Sequence, residues 1–306
     1  MAAAVGRAEW GYENGNGPDK WPDKCASGIR QSPIDIKHSM VDIIETEELR
    51  FINYDHHDDI DFYNSGHSAG AIGFDKWVRR PALAGGGLNG SYDLHGFHFH
   101  WASDDNKGSD HQLGSLYYPL EAHFVHAKHG MEMVDAHKLP DGLAVLTVFF
   151  AIHESGSALK HIEHILNSTT EFQSKKQMKA FRPGELIPTH RSTFYRYEGS
   201  LTLYPCTESV IWTLLSEPLY VSQEQMEVLR SHKDAHGDRM MSNSRPVQDI
   251  NGRRVYQRFH SSHYLHANQQ PPIQLSEAGG SNQIYANFVV LSALVIVTSI
   301  FPSVMH

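Results

Sequence analysis

The chain has 306 residues, enough for one large domain or two small ones. Its composition is that of an ordinary folded protein, 40% hydrophobic and 20% charged, and a net charge of -9 offers no basic surface for nucleic acid. With 22 histidines no single one is informative, so only a spaced pattern can mark a site.

Residues 1–8 read as an N-terminal tail, without the basic segment and apolar run of a signal peptide. Residues 9–262 show no strong break and are expected to form one domain. Strand-like runs dominate it: GFHFHW at 96–101, LEAHFVHAKH at 120–129, GLAVLTVFFAIH at 142–153 and SVIWTLLSEPLYV at 209–221. Two short helices are expected. One covers about 156–166 with Leu159, Ile162 and Leu166 on one face, and the other starts at Ser222, where Ser222 and Gln225 resemble a capping box. The class is mainly β with peripheral helices.

Residues 263–283, with Pro-Pro and Gly-Gly, read as a linker, and 284–306 as a hydrophobic C-terminal segment. No charged residue follows Glu277, and the chain runs FVVLSALVIVTSIFPSV from Phe288. A buried core element, a transmembrane helix and a GPI-attachment signal all fit such a run. The GPI signal is favoured, because small residues at Ser276 and Gly279–Ser281 precede a polar spacer and no basic cluster follows the tail. The expected location is then the extracellular face of the cell membrane. A secretory leader is needed for that route, so the N-terminus is read as incomplete. The sequons at Asn89 and Asn167 would be usable glycosylation sites there.

Cys25 and Cys206 are the two cysteines, and they form neither a zinc ribbon nor a redox motif. Taken alone they are either two buried thiols or one long-range disulfide.

The chemistry is concentrated in Phe97-His98-Phe99-His100-Trp101. Side chains alternate in a strand, which puts His98 and His100 on one side and the three aromatic residues on the other. In Leu120-Glu121-Ala122-His123-Phe124-Val125, residues Glu121, His123 and Val125 share a face. If the two strands pair, a third histidine joins the first two. Three neutral imidazoles suit zinc and leave a fourth position for water. A lone His-x-His is more often two half-exposed histidines. The third alternating histidine weakens that reading, as does Glu121, placed as the carboxylate that orients a ligand.

These segments, GFHFHW, GSDH and EAHFVH, resemble the signature of the alpha-class carbonic anhydrases. The likeness extends along nearly the whole domain through Trp10-Gly11-Tyr12, Gln31-Ser32-Pro33-Ile34-Asp35-Ile36, Pro140-Asp141-Gly142, Ser200-Leu201-Thr202 and Asn243-Ser244-Arg245-Pro246, in the family's order. The secreted and membrane-bound members are the nearest in pattern, since Cys25 and Cys206 sit where those carry a disulfide.

The resemblance implies a single domain on a large twisted, mostly antiparallel sheet. It also implies reversible hydration of carbon dioxide to bicarbonate at a zinc ion held by His98, His100 and His123, with sulfonamide-type inhibitors as expected ligands. Glu121 is then the partner of His123, and the backbone carbonyl of Asn243 that of His100. Thr202 is the residue that orients the attacking hydroxide, with Asp110 directing Thr202. Val125, Val145, Leu201, Leu203 and Trp212 form the carbon dioxide wall, and His67 in Asn64-Ser65-Gly66-His67 is the proton shuttle.

Four positions depart from the family. Gly96 stands where a Gln accepts a hydrogen bond from the first ligand, Asp110 where the family has Glu, Leu203 for a small hydroxyl residue, and Tyr204 for Pro. Two rivals are weaker. A relative reduced to a binding module typically loses a zinc histidine, and a zinc hydrolase of another class needs a motif such as His-Glu-x-x-His, which the sequence lacks.

Overall fold

Strand Ser91–Trp101 alternates His98 and His100 with Phe97 and Phe99, and strand Leu120–Lys128 alternates Glu121, His123 and Val125 with Ala122 and Phe124. In the computed structural model the two run antiparallel, with His98 opposite His123 and His100 opposite Glu121. The pair therefore has one polar and one apolar face. On the apolar face the Phe97 ring lies 5.2 Å from Phe124 and 5.5 Å from Phe181, centroid to centroid. Phe97, Phe99 and Trp101 belong to the larger core cluster, whose burial anchors the strands that carry the histidines.

The structure describes residues 10–13 and 15–258, which fall within one compact unit. Thirteen strands among them form one sheet. Its path runs Lys175–Phe181, Asp58–Asn64, Ala69–Ile72, Ser91–Trp101, Leu120–Lys128, Leu143–Ile152, Val210–Leu215, Phe194–Gly199, Val255–Arg258 and Val41–Ile44. Most neighbours are antiparallel; Leu143–Ile152 is parallel to Val210–Leu215, and Val255–Arg258 to Val41–Ile44. Helices are few and short, so the fold is mainly β around a large twisted sheet, as expected. Leu143–Ile152 is buried from Leu143 through Phe150, which explains why its sequence is a continuous apolar run.

The helix expected at about 156–166 is confined to Glu163–Asn167. Its first half is tethered elsewhere: Ser157 and Ala158 both donate to Tyr220 O, and a Cβ at Gly156 would stand 2.2 Å from the Val221 backbone. Leu159, Ile162 and Leu166 are nonetheless buried. Helix Gln223–Arg230 does start after Ser222, whose Oγ accepts from Gln225 N at 3.3 Å. The reciprocal half of the box is missing, because the Gln225 side chain reaches Glu163 and Leu159 N. The run at 209–221 is two strands, Val210–Leu215 and Leu219–Val221. The linker, the hydrophobic segment and its GPI signal lie outside the described residues, as do residues 1–8 and the end of the 9–262 span.

Candidate metal centre

On the polar face of the strand pair the rings of His98, His100 and His123 converge, with centroids 5.0, 5.3 and 4.4 Å apart. Each offers one nitrogen within 4.8 Å of the others. Which nitrogen is fixed by the bonds the other one makes. His100 Nδ1 meets the carbonyl of Asn243 at 2.9 Å, and His123 Nε2 meets Glu121 Oε1 at 2.5 Å. That leaves His100 Nε2 and His123 Nδ1 to turn inward. The Nε2 atoms of His98 and His100 are both buried without a hydrogen-bond partner. Two orphaned imidazole nitrogens beside a third are costly unless a cation takes their lone pairs, so the residues fit a zinc ion. Burial, with neighbouring imidazoles adding to it, holds His98 well below the usual histidine range and His123 below it. Both are therefore neutral, the form a metal requires.

Glu121 is buried and saturated with donors. Oε2 accepts from His111 N at 2.8 Å, and Oε1 is shared by His111 Nδ1 at 2.7 Å and His123 Nε2. Burial works against its charge, and the interactions with His111 and His123 outweigh it, holding Glu121 well below the ordinary carboxylate range. His111 Nε2 in turn meets Tyr197 Oη at 2.6 Å, and Tyr197 donates to Ser32 Oγ at 2.8 Å. His111, Glu121 and His123 thus form a second acidic–imidazole cluster. Its atoms are spent on one another, so it supports the first cluster and is not a rival site. Sequence reasoning missed His111, Tyr197 and Ser32, although His111 lies inside the GSDH motif.

Asp110 does not reach Thr202. Oδ1 accepts from Arg245 N at 2.7 Å, and Oδ2 is buried without a partner, 3.4 Å from His100 Nδ1. Thr202 is buried in a loop held by Trp212 Nε1, which donates to Ser200 O at 3.0 Å, and by Ser200 Oγ, which accepts from Ser32 N at 2.9 Å. Arg245 ties the Asn-Ser-Arg-Pro motif to the N-terminal one through Gln31 Oε1 at 3.0 Å and Ser32 O at 2.6 Å.

One row crosses the sheet next to the histidines: Gly96 pairs with Val125, Val125 with Val145, Val145 with Trp212 and Trp212 with Tyr197. Val125, Val145, Leu201 and Trp212 pack in one apolar cluster, and the Trp212 ring centroid is 4.8 Å from His123. Leu203 is half-buried and outside that cluster. Gly96 follows a bulge at His95, and a Cβ there would stand 2.6 Å from Ala71 O. The strand's close approach thus explains the missing Gln side chain. His67 stacks on Trp10 at 3.8 Å and 15°, and its carbonyl accepts from Asn243 Nδ2 at 3.0 Å. Trp10, Tyr12 and His67 line a cavity of about 270 Å³. Cys25 and Cys206 form a disulfide.

A three-histidine centre with an apolar wall, built on the face of a β-sheet, defines a mononuclear zinc enzyme that activates water. Comparison with known proteins narrows the class: the model of eukaryotic-type carbonic anhydrases matches residues 16–259, and the chain belongs to that family. It is 41% identical to the Caenorhabditis elegans protein named "Putative carbonic anhydrase 5" over 252 residues, 81% of each chain. It is 34% identical to carbonic anhydrase 7 of mouse, over 82% of this chain and 97% of that one, and to its human counterpart over 83% and 99%.

Proposed function

We propose that His98, His100 and His123 hold the zinc with which this enzyme hydrates carbon dioxide reversibly to bicarbonate, with Thr202, Asp110 and His67 assisting. The observation that carries the assignment is the pair of buried, unbonded Nε2 atoms on His98 and His100. When bound, zinc supplies a nucleophile at neutral pH by lowering the pKa of water to about 7, the value known for carbonic anhydrases generally. Glu121 and the Asn243 carbonyl fix the tautomers of His123 and His100, so that three neutral donors leave the metal's charge undiminished. The apolar wall of Val125, Val145, Leu201 and Trp212 suits an uncharged, apolar substrate, with Leu203 at its edge. Thr202 orients the attacking oxygen, and Asp110 acts on Thr202 through a bridging water in place of a direct bond. His67 carries the released proton outward, the work for which a histidine side chain is suited. Stopped-flow hydration with zinc content measured on the same sample tests the reading. One zinc per chain with fast, sulfonamide-blocked hydration is expected; zinc without hydration would overturn it.

The chain also reads as an extracellular, GPI-anchored glycoprotein of this family. A disulfide suits an oxidising compartment, Asn89 and Asn167 are exposed, and the apolar run at 288–304 suits an attachment signal. A GPI-specific phospholipase is expected to release the protein from cells. Resistance with an intact C-terminus would favour a transmembrane tail.

A further inference from the structure

Arg196 has no part in this chemistry. It sits on strand Phe194–Gly199 beside Tyr197, and adjacent residues of a strand face opposite ways, so it points away from the chain of bonds that Tyr197 makes to His111. Its Nε donates to Thr213 Oγ1 at 3.1 Å, and its guanidinium carbon lies 5.3 Å from the centre of the Phe194 ring. Only 8% of the residue is exposed, Nη2 is buried without a hydrogen-bond partner, and no carboxylate among the described residues pairs with it. A buried cation without a counter-ion is among the costlier arrangements a fold can hold.

A cavity of about 440 Å³ opens at this side chain, and Arg253 and Arg254 also line it. Arg253 spends its donors on the carbonyls of Gln31, Glu198, Asp249 and Ile250 and makes no direct ion pair among the described residues, with Glu208 acting on it only at longer range. Arg254 shares Asp42 at 2.9 Å. Glu198 is the one carboxylate on the wall among the described residues, and it is largely exposed and paired with Arg30 at 3.3 Å. Gly86 and Gly87 cross beside the guanidinium in left-handed conformations, φ +56° and +81°. A Cβ on Gly87 would stand 3.9 Å from Arg196 Nη1, so the loop passes without a side chain to cover the cation.

We propose that this cavity is a binding site for a small oxyanion, held by Arg196 and favoured by the charges of Arg253 and Arg254. Bicarbonate, the product of the enzyme's own reaction, and inorganic phosphate share the required chemistry: a compact anion whose oxygens accept from a guanidinium. The site is separate from the metal centre and does not depend on the residue roles proposed there.

Thermal unfolding of the full-length zinc protein in rising sodium bicarbonate or sodium phosphate, with ionic strength held constant by chloride, tests the proposal. Wild type is expected to gain a few degrees at about ten times the dissociation constant and to rise with the logarithm of concentration beyond it. Arg196→Met should lose the gain while keeping its zinc and its hydration activity; anion binding at the metal is common to both proteins and cancels. A gain with bicarbonate alone that Arg196→Met loses assigns the site to the product, and such a gain with both salts assigns it to oxyanions in general. Equal gains in wild type and Arg196→Met, or none with either salt, would overturn the site. Should Arg196→Met fail to fold, the exposed Glu198→Gln serves instead. Removing that wall charge should tighten binding by about twofold, and an unchanged midpoint counts against the site.

Discussion

Strand Leu120–Lys128 carries two buried histidines on opposite faces, and they illustrate two different uses of the same side chain. His126, on the core face, has both nitrogens bonded: Nε2 meets Tyr54 Oη at 2.6 Å and Nδ1 meets Ala144 O at 3.1 Å. On the cavity face the histidines keep one nitrogen back, and on His98 and His100 that nitrogen is buried and unbonded. Burial does not separate a ligand from a structural histidine here, since His100, His123 and His126 are all buried. What separates them is the convergence of unspent nitrogens, since His232 Nε2 is also buried and unbonded but belongs to no such cluster among the described residues. Asp110 follows the same logic on a carboxylate, with Oδ1 bonded and Oδ2 not, whereas Glu121 is bonded throughout.

The contrast is broken most severely at a ligand. His98→Ala is expected to lose zinc on dialysis and to lose hydration entirely. A zinc-replete, active variant would mean that the orphaned nitrogen serves something else. Glu121→Gln keeps the shape but removes a charged acceptor shared by His111 and His123, and should weaken zinc binding by roughly 10- to 100-fold in a chelator competition. Asp110→Glu restores the missing methylene. Turnover should rise by up to about tenfold, the worth of one charge-assisted hydrogen bond, for a packing cost of about 1 kcal/mol in denaturant unfolding. Unchanged turnover would show that Thr202 is already directed.

A further prediction, read in stability and not in turnover, concerns His126. Burial presses its pKa down to about 3, whereas an unfolded histidine titrates near 6.5. Between those values only the unfolded chain takes up the proton. The stability His126 contributes is therefore complete above about pH 6.5 and is lost toward pH 3 at about 1.4 kcal/mol per unit. His126→Gln should remove that increment from the slope measured by urea unfolding at pH 5 and pH 7; identical slopes would argue against a neutral, buried His126.

What the sequence made legible was what repeats with the strand period. Alternation alone puts His98 and His100 together and His123 with Glu121, and the motif order brings in Asn243 and Thr202. Contacts between distant segments carry no such period. Tyr197 lies 86 residues from His111 and 165 from Ser32, and nothing local announces that the three hydroxyl and imidazole groups meet. The reach of Asp110 depends on how closely two segments pack, which a one-residue comparison with Glu does not give. The 156–166 helix failed for a related reason: its apolar spacing is helical, but its first backbone amides are taken by Tyr220. Nothing in the sequence marks Arg196, because only the absence of a partner in space distinguishes it.

Asn243 holds the site together from a single position. Its carbonyl takes His100 Nδ1, its Oδ1 takes Trp101 N, its Nδ2 donates to both Phe99 O and His67 O, and its own amide donates to Trp101 O. His100, proposed as a metal ligand, and the loop of His67, proposed as the proton carrier, are thus gauged from one common reference point. The distance between the two is set by the dimensions of one amide side chain.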